Sequence, residues 1–256
     1  VGAEARKLLA EAEEVLEEMN REGSVRPAGV VGLFPAAARG DDMLIFEDTD
    51  RKQVLRQVPF LRQQRRSSAG RPNLSLVYFV GPVAGGAPDW VGAFMVTAGL
   101  GARRVADRWQ AAGDDYRSIL VKALADRLAE SFAEQLHQEV RRRIWGYAPD
   151  EDLNGDQLLA EEFQGIRPAP GYPACPDHLG KRHIFALLDA EQSCGVSLTE
   201  TGAMEPAATV AGWYFSHPEA KYFGLGRIGR DQVADYAVRA GITEQEAAAW
   251  LAPNLD

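Results

Sequence analysis

Residues 3–20 place Leu8, Leu9, Ala12, Val15, Leu16 and Met19 at helical spacing, with Glu11, Glu13, Glu14, Glu17 and Glu18 on the other faces. This pattern predicts an opening amphipathic helix that stops near Gly23. Residues 30–36 (VVGLFPA) and 43–48 (MLIFED) read as strands joined by the turn-rich ARGDD. The segment 54–66 suggests a short helix interrupted at Pro59, 74–80 (LSLVYFV) a strand, and 91–99 a strand or a buried segment. The longest periodic stretch, 114–143, predicts a central helix with an apolar stripe of Ile119, Ala123, Leu124, Leu128, Phe132, Leu136 and Val140. Lys122, Asp126 and Glu130 recur every fourth residue on another face. A second helix is expected over 181–192, ending near Gly195. Strands follow at 196–200, 208–216 and 221–228, and then two short helices, the last opened by a capping box at Thr243–Glu246. Strands and helices do not alternate strictly, so the reading is an α+β fold, one domain over 1–256, with a mainly antiparallel sheet flanked by helices. No internal repeat is visible.

Composition changes this picture little: 46% of residues are hydrophobic and 25% charged, as in ordinary globular proteins. The net charge of −9 argues against a nucleic-acid binder, which needs a basic face. No run reaches the roughly 18 apolar residues of a membrane span, and the charged start does not read as a signal peptide. The expectation is a cytoplasmic protein. The first residue is Val1 rather than Met, as expected of a piece of a longer polypeptide. Two cysteines, Cys175 and Cys194, are too few for a disulfide framework, and a bridge between them is not expected in such a chain.

The most specific stretch is 165–178, GIRPAPGYPACPDH. Pro168, Pro170, Pro173 and Pro176 each fix their own φ and bias the preceding residue toward extended backbone, so this loop is rigid before any ligand arrives. Extended backbone leaves N–H and C=O groups to pair elsewhere, and those of Ala169 are the obvious pair for a ligand. Gly171 permits close approach of main chain. Arg167 offers a planar fork suited to a carboxylate, and Tyr172 an aromatic face and a hydroxyl. Together they could hold an amino acid or a nucleoside-like molecule. The alternative is a stiff connector with Arg167 in an internal salt bridge.

Other motifs carry less. Cys175, His178, His183 and Cys194 are residue types that bind zinc, but no paired C-x-x-C frames them and no metal site is expected. GLGRIG at 224–229 mimics a dinucleotide fingerprint, yet falls in an expected strand rather than at a strand-to-helix turn. Glu130 and Glu161 are carboxylates able to receive an ammonium or ribose hydroxyls.

The ordered series VVGLFPA, VKALADRLAE, RIWGYAP, QGIRPAPGYPACPDH, GWYFSHPEAKYF, RDQVADYA and WLAPNL resembles the C-terminal activation domain of cobalamin-dependent methionine synthase over almost the whole chain. The resemblance implies a C-shaped α+β domain that binds S-adenosylmethionine. Such a domain docks on the cobalamin-binding domain and donates the methyl group during reductive reactivation of oxidised cobalamin, with flavodoxin or a flavin reductase as electron donor. By motif, Arg167 would bind the ligand carboxylate and Ala169 would offer backbone hydrogen bonds. Tyr172, Glu130, Glu161 and Tyr222 would line the ligand. Asp126 and Met204, the latter in AMEP, would approach the cobalamin-binding domain. No general acid or base is expected, because the chemistry belongs to cobalt and the sulfonium. An aspartate that contacts the ligand in the family lies N-terminal to the helix that opens this chain, and that segment is absent from this sequence. A non-catalytic module that senses S-adenosylmethionine or docks on a cobalamin protein is the alternative function.

Overall fold

The structure, a computed structural model, describes residues 2–65, 70 and 72–255. In chain order its elements are α1 (Ala3–Glu22), β1 (Ala28–Arg39), β2 (Asp42–Phe46), β3 (Val54–Pro59), β4 (Asp89–Thr97), α2 (Ala102–Ala111), α3 (Asp115–Glu139), α4 (Gly155–Leu159), α5 (Gly180–Leu188), α6 (Ala190–Cys194), β5 (Ser197–Leu198), β6 (Met204–Glu205), β7 (Thr209–Tyr214), α7 (Arg230–Ala240) and α8 (Glu244–Trp250). Five strands form one sheet in the order β3-β2-β1-β4-β7, and β5 pairs with β6. β2 runs antiparallel to both β1 and β3. The fold is α+β, and no helix among the described residues is long and apolar enough to cross a membrane.

The chain divides into two compact units. The first comprises Val1–Val30, Met95–His137 and Leu188–Val210, and the second Val31–Phe94, Gln138–Leu187 and Ala211–Asp256. In the first unit, Val15 and Met19 of α1 pack with Val105 and Ala106 of α2 and Val121 and Ala125 of α3. The acidic run on α1 is not uniformly solvated. Arg108 on α2 grips Glu18 and Glu22 at 3.2 and 3.0 Å, and the Tyr116 hydroxyl donates to Glu11.

The expected stripe of α3 is only partly its buried face: Val140 is fully buried and Leu124, Leu128, Phe132 and Leu136 are half-buried. Val121, Ala125, Ala129, Ala133 and His137 face inward, whereas Ile119 is 66% exposed and Ala123 is exposed. Small side chains repeating every four residues allow close approach of neighbouring backbone.

In the second unit, β7 supplies Trp213 and Tyr214, followed by Phe215, all fully buried. Phe94 of β4 stacks on Tyr214 with ring centroids 4.4 Å apart. Each such aromatic removed from water contributes about 1.5–3 kcal/mol. A second cluster joins α7 and α8 through Val233, Tyr236, Ala237, Ala247 and Leu251, with Leu179 and Leu225. The capping box of α8 forms as expected: Thr243 Oγ1 accepts from Glu246 N at 3.2 Å and Glu246 Oε2 accepts from Thr243 N at 2.9 Å.

Three local expectations are corrected. Residues 54–59 form strand β3 rather than a helix, because the open edge of β2 supplies ladder partners, as in Met43↔Val58; Arg66 lies outside the described residues. Residues 76–79 form a 3-10 turn rather than a strand, which buries Leu76, Val77 and Phe79 together. Tyr78 is turned outward under the Arg62 guanidinium, 4.6 Å from the ring centroid. Residues 221–228 are not a strand, because their N–H groups pair elsewhere: Leu225 N donates to Pro173 O at 2.7 Å and Ile228 N to Asn254 O at 2.9 Å. Helices α2 and α4 lie where no element was expected. A capping box at Asn154 and Gln157 opens α4. The helix expected over 181–192 breaks at Asp189, which has φ +46°, into α5 and α6.

Candidate functional site

The proline-rich loop is docked on the sheet rather than free. Ile166 and Phe215 exchange backbone hydrogen bonds of 3.0 Å each, and Trp213 N donates to Pro168 O at 2.9 Å. The approach is close enough that a Cβ on Gly212 would lie 2.7 Å from that Pro168 oxygen. Any larger residue on β7 at this point would push the loop away.

Beyond Pro168 the loop bonds to itself. Tyr172 N donates to Ala169 O at 3.2 Å, Cys175 N to Tyr172 O at 3.0 Å and Gly171 N to Cys175 O at 2.8 Å. The Cys175 thiol also donates to Ala169 O at 3.1 Å. Burial, reinforced by Asp177, pushes this thiol well above its ordinary range, so it stays protonated and able to donate. The Ala169 carbonyl, expected to face a ligand, thus has both lone pairs engaged inside the loop. Gly171 sits at φ +97°, and a Cβ there would fall 2.5 Å from the imidazole of His178. Asp177 is buried and caps the start of α5 through Gly180 N at 3.1 Å; burial raises its pKa despite this bond and one from Tyr236.

These constraints present Arg167 and Tyr172 at the surface of the second unit. Arg167 is half-buried and Tyr172 is 67% exposed. The Arg167 backbone N–H donates to the Tyr222 hydroxyl at 3.0 Å, which brings together two of the expected residues. Glu161, exposed at the end of the α4 turn, holds φ +56°. Glu130, Asp126 and Met204 belong to the first unit. Glu130 and Asp126 are exposed on α3 one turn apart, and Glu130 pairs with Arg127 at 2.7 Å. Met204 is half-buried in β6. Among the described residues no group of three or more His, Cys, Asp or Glu side chains could hold a metal ion, and both cysteines are free thiols. The GLGRIG segment is occupied by its own chain: Gly224 O accepts from Gln63 Nε2 at 2.7 Å, and Gly229 N donates to Gln64 Oε1 at 2.6 Å.

The wall behind Arg167 was not anticipated. After α3 the helix widens into a π turn over Val140–Ile144, with Trp145 N donating to Val140 O at 2.9 Å. Within it Arg141 is fully buried and forks onto Glu151, Nε–Oε2 2.6 Å and Nη2–Oε1 2.7 Å. Its guanidinium lies 4.2 Å from the centroid of Phe163. Tyr147 stands beside this pair, and burial holds its phenol above the ordinary range. Arg141 continues the four-residue row Val121, Ala125, Ala129, Ala133, His137, which only the fold shows to be buried. A charge on a buried row requires a buried partner.

Helix α5 carries a titrating group. Burial, with the Arg56 guanidinium adding to it, lowers His183 from 6.5 to about 4. Between these values the unfolded chain takes up a proton that the folded chain refuses. The contribution of His183 is therefore fully present above pH 6.5 and is lost as pH falls to about 4, on the order of 3 kcal/mol in total. Urea unfolding at pH 7 and pH 4.5 should show a smaller loss of stability for His183→Gln than for wild type. Parallel losses would remove His183 from the account.

Comparison with known proteins gives a consistent result. The profile of the family described as vitamin B12 dependent methionine synthase, activation domain, matches residues 1–241. The chain belongs to this family. The activation domain is also similar to a crystal structure of the MetH reactivation domain bound to AdoHcy: 51% sequence identity, TM-score 0.97, covering 100% of this chain and 78% of that one. The family is thus the activation module of a cobalamin-dependent methyltransferase, and a cobalamin-binding domain is implied as its counterpart.

Proposed function

We propose that this activation domain binds S-adenosylmethionine at the proline-rich loop and presents its methyl group during reductive reactivation of methionine synthase. The observation that carries the reading is the docked loop, which fixes Arg167 and Tyr172 at accessible positions before any ligand is present. A preformed site loses less conformational entropy on binding. The similar MetH domain binds AdoHcy, which is S-adenosylmethionine after departure of its methyl group.

In this reading the guanidinium of Arg167 takes the ligand carboxylate. Ala169 acts through its N–H, since its carbonyl is engaged within the loop. Tyr172 offers a ring face to the sulfonium, and Tyr222 lines the ligand while pinning Arg167. Glu161 receives the ammonium or the ribose hydroxyls, and Asp126 and Met204 meet the cobalamin-binding domain. That partner's cobalamin would supply the metal chemistry, with flavodoxin or a flavin reductase as the electron donor. The residues of this chain hold the sulfonium in line and exclude water.

Reconstitution tests the reading. The domain is mixed with a cobalamin-binding domain, reduced flavodoxin and S-adenosylmethionine, and the cobalamin absorption spectrum is followed. A spectral change that requires both the domain and the ligand is expected. Calorimetric binding without any spectral change would instead favour a non-catalytic sensing module.

A further inference from the structure

We propose that Phe163, backed by the buried Arg141–Glu151 pair, is a positioning residue that sets the side chain of Arg167 for a carboxylate; this rests on the reading of Arg167 above. The main chain around Arg167 is already fixed by its N–H to Tyr222 at 3.0 Å and by the bonds of Ile166 and Pro168 to β7 and Phe215. An arginine side chain has rotational freedom to lose on binding, and a ring contact limits part of it beforehand. The Phe163 ring lies against this side chain, with its centroid 6.0 Å from the Arg167 guanidinium carbon. An aromatic face carries negative potential and draws a cation toward it at this range.

The ring is itself held. It is buried, and the Arg141 guanidinium lies 4.2 Å from its centroid. Arg141 cannot turn away, because both its Nε and Nη2 are forked onto Glu151 and it sits in the π turn that closes α3. Such turns recur at functional sites. Charge explains why an ion pair, rather than an apolar prop, suits this position. Two guanidinium groups beside one ring would repel each other, and Glu151 offsets the charge of Arg141. A buried ion pair adds little to stability compared with apolar packing, which fits a positioning role better than a stabilising one.

The test separates positioning from general support. Titration calorimetry compares S-adenosylmethionine with decarboxylated S-adenosylmethionine, which keeps the sulfonium, the ribose and the adenine, for wild type, Phe163→Leu and Phe163→Tyr. Phe163→Leu is expected to weaken S-adenosylmethionine binding about three- to fivefold while leaving the decarboxylated ligand unchanged, and Phe163→Tyr to restore the wild-type preference. Phe163→Met serves in its place if the leucine variant fails to fold. Equal weakening of both ligands, or no change in either, would overturn the positioning role while leaving the parent reading intact. A wild type that binds S-adenosylmethionine no better than its decarboxylated form would overturn the parent reading and this inference with it.

Discussion

Replacing Arg167 by alanine is expected to lower affinity for S-adenosylmethionine about thirtyfold, roughly 2 kcal/mol. The loop supplies the reason. Its prolines and its bonds to Trp213 and Phe215 hold the backbone whether or not the side chain is present, so truncation should remove the guanidinium without moving the frame. A charge-assisted fork to a carboxylate is worth more than a neutral hydrogen bond, and the half-buried setting of Arg167 limits screening by water. Arg167→Lys should recover only part of the loss, because an ammonium keeps the charge but not the planar fork. Calorimetry on the three proteins reads this directly. Equal affinities for wild type and Arg167→Ala would remove the carboxylate contact from the reading.

The largest effect on stability is expected at Glu151. Alanine there would leave the Arg141 guanidinium buried with no counter-charge, which costs about 3–5 kcal/mol. Arg141 is fully buried and the Glu151 side chain is 6% exposed, so water cannot readily take the place of the carboxylate. The double variant Arg141→Met, Glu151→Leu should recover most of the loss, since apolar groups of similar size need no partner. Urea unfolding monitored by circular dichroism gives both values. A loss below about 1 kcal/mol for Glu151→Ala would show that the pair is more hydrated than its burial implies, because exposed pairs are worth that little.

Much of the site was legible because it is written in local stereochemistry. Proline fixes φ wherever it stands, so the rigidity of 165–178 follows from the string itself, whereas the presentation of Arg167 and Tyr172 depends on docking against Trp213 and Phe215. The capping box at Thr243 is likewise a matter of spacing over four residues. The bonds of the Ala169 carbonyl were not legible, because they depend on where the Cys175 thiol arrives. Arg141 and Glu151 stayed hidden because ten residues and a π turn separate them, and periodicity places neither side chain against the other.

The sequence alone determined the α+β class, the stiff loop and the ends of several helices, since each depends on neighbours a few bonds apart. Only the tertiary structure decided which face of α3 is buried, that 54–59 pairs as a strand, and that the Phe163 ring is near the guanidinium groups of both Arg141 and Arg167. Those outcomes depend on packing density and on ladder partners supplied by distant segments, and a one-dimensional pattern does not carry that information.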